Sequence, residues 1–265
     1  ENPTVNSPAW GGARGLPELV RQVAIGAGHP PPFVKNVYRL NRGLDHHLDA
    51  AQPSLANIDE PLLAGEEWDF VVLQGFSTRP TLHPYTGNAA QLAENAVRLF
   101  EEVRSGSTNH TLQSPDVVPV LFQTWAREPD HWFYDTSSPF TSGHNIAVGL
   151  AAWTGGAVFT GPEEMESQVR AGYARASERL AAVGAAVRVA PVGDAWEAAA
   201  WGPTLYAGDH YHAASAGDLL SALVLYGTLW VDADTESLVT SGALDGVLAA
   251  LGIATAEAAA LARNA

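Results

Sequence analysis

Three short runs of this chain, residues 69–75, 118–125 and 187–192, are nearly continuous in apolar residues, and a fourth, 33–40, is also rich in Val, Phe and Leu. Strands that carry no polar alternation are buried on both faces, which suits a parallel sheet covered by helices more than a half-wet antiparallel one. Between and around these runs lie helical patterns at residues 16–27, 88–104, 163–183 and 216–230, each with apolar positions three and four apart. Strand and helix therefore alternate. That order predicts right-handed crossovers and a three-layer, doubly wound α/β domain, whose ligand site lies beyond the carboxyl ends of the strands. An alanine-rich stretch, 244–263, reads as one closing helix.

Two segments depart from the alternation. Residues 1–15 read as loop, with Pro3, Pro8, Gly11, Gly12 and Gly15 and only isolated apolar residues, so the first strand is missing or atypical. In a doubly wound sheet that strand is usually central. Residues 127–162 are long for a connection and carry Trp132, Phe133, Tyr134, Phe140, Trp153 and Phe159 among Gly, Ser, Thr and Pro. This aromatic-rich insertion reads either as a lid or wall of a site or as a segment packing its own small cluster. The whole of 1–265 is otherwise expected to be a single domain, and 46% apolar content supplies its core.

Composition narrows the function classes. With 14 Lys and Arg against 29 Asp and Glu, a formal charge of -15 opposes binding to nucleic acid, and no basic patch offsets it. The chain has no cysteine, which removes disulfides, thiolate metal sites and a cysteine nucleophile. No uninterrupted apolar run reaches the roughly 18 residues of a membrane span. Residues 1–9 lack a signal-peptide pattern, but the chain starts at Glu1, so processing or truncation is expected and a secreted or periplasmic location stays compatible.

The sharpest local signal is Gly208-Asp209-His210-Tyr211-His212, after the last apolar run and just before the helix near Ser215. Asp209 and His212 are three apart, a spacing that can set the carboxylate against one imidazole nitrogen and leave the other to act as a general base. The same loop admits a metal reading through Asp209, His210 and His212, joined by His46 or His47, and a structural one in which both histidines bond backbone groups. None of the nine histidines falls in a helix-borne H-E-x-x-H pattern.

The Asp-x-x-His ahead of a closing helix resembles the last sequence block of the SGNH (GDSL-like) hydrolases. Asp69-Phe70-Val71-Val72-Leu73-Gln74-Gly75-Phe76-Ser77-Thr78-Arg79-Pro80 is similar to the third block of a branch with Leu-Gln in place of Gly-x-Asn-Asp. Gln123-Thr124-Trp125-Ala126-Arg127 and Val192-Gly193-Asp194-Ala195-Trp196 resemble that branch too, and the likeness spans roughly 16–230. It implies a flavodoxin-like three-layer fold and a Ser-His-Asp triad with Asp209 and His212 as acid and base. It also implies an oxyanion hole in which Gly43 supplies an amide and Gln74 a side-chain donor, with Ser77 a competitor for that place.

The family's first block, a strand ending in Gly-Asp-Ser or Gly-Asn-Ser, has no counterpart beyond Asn6-Ser7. The nucleophile is thus expected at Ser7 or upstream of Glu1. The expected activity is hydrolysis of a carboxylic ester, small or polymeric, through an acyl-enzyme and without metal or organic cofactor. The alternative is an SGNH-like binding module that lacks the nucleophile.

Overall fold

Asn88 starts the first long crossover helix by accepting a hydrogen bond from the amide of Gln91 at 2.9 Å, which satisfies one of the donors that a helix start leaves open. From there Leu92, Ala96, Leu99, Phe100 and Val103 recur on one face and are buried. The computed structural model describes residues 15–37, 43–48, 66–83, 86–106, 113–134, 158–231 and 233–265.

In chain order the elements are α1 (Leu16–Gly26), a 3-10 turn at Leu44–Leu48, β1 (Phe70–Leu73), α2 (Ala89–Ser105) and β2 (Val118–Phe122). They continue with α3 (Pro162–Ala182), β3 (Arg188–Ala190), α4 (Val192–Ala198), α5 (Ser215–Leu229), α6 (Thr235–Thr240), α7 (Asp245–Leu251) and α8 (Thr255–Ala262). The described sheet has three strands in the order β1-β2-β3, all parallel, with Val72 opposite Val120 and Val120 opposite Arg188.

Right-handed crossovers in that order put α2 and α3 on one face, where they pack on each other. The second layer is α1 against α5. Helix α5 is buried nearly all round, from Ala216 through Tyr226, as a helix central to a fold must be. The protein is thus an α/β domain with a small parallel sheet between helical layers. Val120, Leu121 and Phe122 of β2 are almost wholly buried, each contributing about 1.5–3 kcal/mol by removal from water.

Several expectations need correction. Among the described residues no strand is formed at 33–37: they follow Pro30-Pro31-Pro32, and Phe33 is 55% exposed; the rest of 33–40 lies outside the described residues. Among the described residues no strand precedes Phe70. The alanine-rich closing pattern is two helices rather than one, because Gly252 takes a left-handed φ of 70° that ends α7, and α8 leaves at 105° to it. Helix α4 was not foreseen, being only two turns long and starting directly after Pro191. Of the aromatic-rich segment, the described ends meet: the amide of Val158 donates to the carbonyl of Phe133 at 2.8 Å, and the rings of Phe133 and Phe159 lie 5.9 Å apart. Phe140 and Trp153 lie outside the described residues. No single helix among the described residues is long and apolar enough to cross a membrane.

Candidate active site

The loop between α4 and α5 closes on itself before α5 begins. Ala207 donates to the carbonyl of His212 at 2.8 Å, and Tyr206 bridges Ala213 in antiparallel fashion. Within that loop Oδ1 of Asp209 accepts from the amides of Tyr211 and His212, at 3.2 and 3.0 Å, an Asx-type turn that fixes the carboxylate. Its other oxygen, Oδ2, lies 2.6 Å from Nδ1 of His212. Burial alone would push the Asp209 carboxyl up, but the hydrogen bonds from His212 and the two amides outweigh it and hold the group below its ordinary value. An ionised Asp209 in this position requires the proton on Nδ1 of His212 and so fixes the imidazole tautomer. Both side chains keep 30% of their surface exposed.

His210 goes elsewhere. It has a left-handed φ of 66°, and its Nδ1 sits 2.5 Å from Oε2 of Glu128, while the amide of Glu128 donates to the carbonyl of His210. That turn separates it from Asp209 and His212, so the three do not converge as metal ligands. His46 and His47 belong to the 3-10 turn that packs on α2. Among the described residues no group of three or more His, Asp or Glu side chains is placed to hold a metal ion.

The segment leaving β2 forms the wall beside this loop. Nε1 of Trp125 donates to the carbonyl of Tyr211 at 3.1 Å, and Tyr206 donates its hydroxyl to the carbonyl of Ala126 at 3.0 Å. Arg127 is 6% exposed, with its guanidinium 4.6 Å from the Tyr211 ring centre and 5.5 Å from that of Phe133. Nη2 of Arg127 donates to Oγ of Ser77 at 2.7 Å, so the turn after β1 and the 208–212 loop meet across this one side chain. The Tyr211 and His212 rings are 3.9 Å apart. Burial lowers the pKa of Arg127, and Asp209 is among the groups whose field opposes that. Burial first, and the Arg127 charge second, push His83 down to about 4 and His131 down to about 3, which leaves both imidazoles neutral at pH 7.

A buried acid holds the same segment from behind. Glu166 on α3 accepts from the Ala126 amide at 2.8 Å and from Nε2 of Gln123 at 2.9 Å. Gln123 also reaches Asp194 at 2.7 Å. Burial, the largest influence, pushes Glu166 up to about 7. A cavity of about 480 Å³ lined by Gln123, Arg170, Tyr173 and Asp194 lies on this side of the network, and neither Asp209 nor His212 lines it. It is open to solvent.

The oxyanion candidates are less closely joined. Gln74 follows β1 at its carboxyl end and is exposed, with no side-chain partner among the described residues. Gly43 is buried beside Arg79, in the turn that follows β1. No described contact links Gly43 or Gln74 to His212. Ser7 lies outside the described residues. Sequence reasoning passed over Arg127, Glu128 and Glu166. For Arg127 a signal existed, a lone cation just past the carboxyl end of a buried strand.

No protein-family model matches the chain, and no curated protein matches it. Two solved structures do. A candidate SGNH hydrolase from Slackia heliotrinireducens is 22% identical, with a TM-score of 0.50 over 80% of this chain and 91% of the other. A DUF4886 family protein from Bacteroides uniformis is 14% identical, with a TM-score of 0.54 over 94% of this chain and 88% of the other. At such identities the likeness speaks to architecture, and the chain has an SGNH-hydrolase-like α/β fold.

Proposed function

We propose that the protein is a hydrolase that cleaves a carboxylic ester through a serine acyl-enzyme, with His212 as general base and Asp209 as its orienting acid. The observation that carries this reading is the 2.6 Å contact between Asp209 Oδ2 and His212 Nδ1, on a loop whose own amides hold the carboxylate ionised. In such a pair the imidazole takes the serine proton as the hydroxyl attacks, passes it to the leaving alcohol, and then activates water to release the acid. Gly43 and Gln74 are proposed as oxyanion donors, and residues 127–162 as the wall of the acyl or alcohol pocket within one domain spanning 1–265. Ser7 or a serine upstream of Glu1 would be the nucleophile.

Hydrolysis of p-nitrophenyl esters of graded acyl length tests the reading. His212→Ala and Asp209→Asn are expected to lower kcat by about three to four orders of magnitude, as loss of a triad member does. Unchanged turnover in both variants would reject the assignment. If no ester is cleaved while ligands still bind, the protein is a binding module on the same scaffold.

A further inference from the structure

Arg127 is a cation kept almost out of water, and among the described residues no carboxylate lies within ion-pairing distance of it. Asp209, the acid that acts on it through its field, spends Oδ2 on His212 and Oδ1 on two amides. One nitrogen of the fork, Nη2, has the neutral hydroxyl of Ser77, and Nε is buried with no acceptor among the described residues. The aromatic rings of Tyr211 and Phe133 lie against it, so the polar edge of the guanidinium is what remains for a ligand. His83 and His131, which feel its charge, are neutral and supply no counter-ion.

A buried charge without a partner is costly, and a protein that keeps one beside a reactive imidazole is arranged to receive the missing charge from outside. Tyr211 joins the two places, stacked near Arg127 on one side and 3.9 Å from the His212 ring on the other. We propose that Arg127 is an anion subsite that binds a carboxylate carried by the ester substrate, which makes the preferred substrates half-esters of dicarboxylic acids or esters of similarly charged acids. This rests on the ester-hydrolysis reading of Asp209 and His212. A carboxylate fits better than a phosphate dianion, since the described residues of the cluster offer one cation and a planar fork matches a planar carboxylate. With a formal charge of -15, the protein as a whole repels such a substrate, so selection for it has to come from a local cation of this kind.

The test compares two substrates of equal acyl length, p-nitrophenyl pentanoate and p-nitrophenyl hemiglutarate, in the wild type, Arg127→Lys and Arg127→Met, together with calorimetric titration of glutarate. The expected result is a kcat/KM ratio favouring the hemiglutarate by about tenfold or more in the wild type, collapsing in Arg127→Met and partly restored in Arg127→Lys. Glutarate binding should weaken in parallel. Hydrolysis of both esters without preference, and no glutarate binding, would overturn the subsite while leaving the esterase reading intact. Arg127-dependent glutarate binding without hydrolysis of either ester would keep the subsite and remove the esterase. Should Arg127→Met not fold, the wild-type ratio and titration still decide.

Discussion

The indole of Trp125 lies flat on that of Trp196, ring centres 4.2 Å apart and planes 5° from parallel, and its Nε1 reaches across to the carbonyl of Tyr211. Trp196 is fully buried and anchored in α4, so this stack carries rigidity from the core to the loop that holds Asp209 and His212. Trp125→Phe keeps a ring but deletes the donor. The expected effect is a loss of about 1 kcal/mol, seen as a melting point lower by roughly 2–4 °C and ester turnover reduced several-fold. A loss of stability alone, with turnover per folded molecule unchanged, would detach the stack from the site.

Gly193, in the first turn of α4, donates its amide to the carbonyl of Gln123 just past β2, at 3.2 Å. A methyl group there would collide with the carbonyl of Thr124 and the carboxylate of Glu166. Gly193→Ala is expected to destabilise by about 1–3 kcal/mol in denaturant unfolding, the usual cost of overpacking. Gly246, in α7, has nothing within 4 Å of such a methyl, and Gly246→Ala should stabilise by up to about 1 kcal/mol.

Glu166 makes the protein's stability depend on pH in a stated direction. Its folded pKa, about 7, is raised above the ordinary glutamate value, so the folded state retains a proton that the unfolded chain releases. The stability this confers is complete below roughly pH 4 and is lost as pH rises toward 7, amounting to on the order of 3 kcal/mol for a fully buried group. Glu166→Gln should flatten that decline in melting point between about pH 5 and pH 8. The slope that remains is assigned to Asp218, which burial in the first turn of α5 also pushes to about 7. An unchanged profile in Glu166→Gln would place the titration elsewhere.

What the sequence made readable was what is local in the chain. The helices at 16–26, 89–105, 162–182 and 215–229 and the three parallel strands follow from periodicity, within a residue or two except at strand ends. Asp209 and His212 could be paired on paper because three residues separate them. Arg127 and Ser77 are 50 apart, and Glu166 is 40 from Ala126, so those contacts arise only once β1, β2 and α3 are packed side by side. The break at Gly252 was hidden by alanine on both sides, where helix propensity is uniformly high and only the glycine's left-handed backbone marks the stop.

A serine acyl-enzyme is tested by labelling with a fluorophosphonate probe, followed by mass mapping, on residues 1–265 and on a form extended upstream in the reading frame, each with and without His212→Ala. One serine is expected to be labelled, at Ser7 or upstream of Glu1, and the label to disappear when His212 is replaced. No labelled serine in either form, or labelling indifferent to His212, would contradict a serine acyl-enzyme served by the Asp209 and His212 pair.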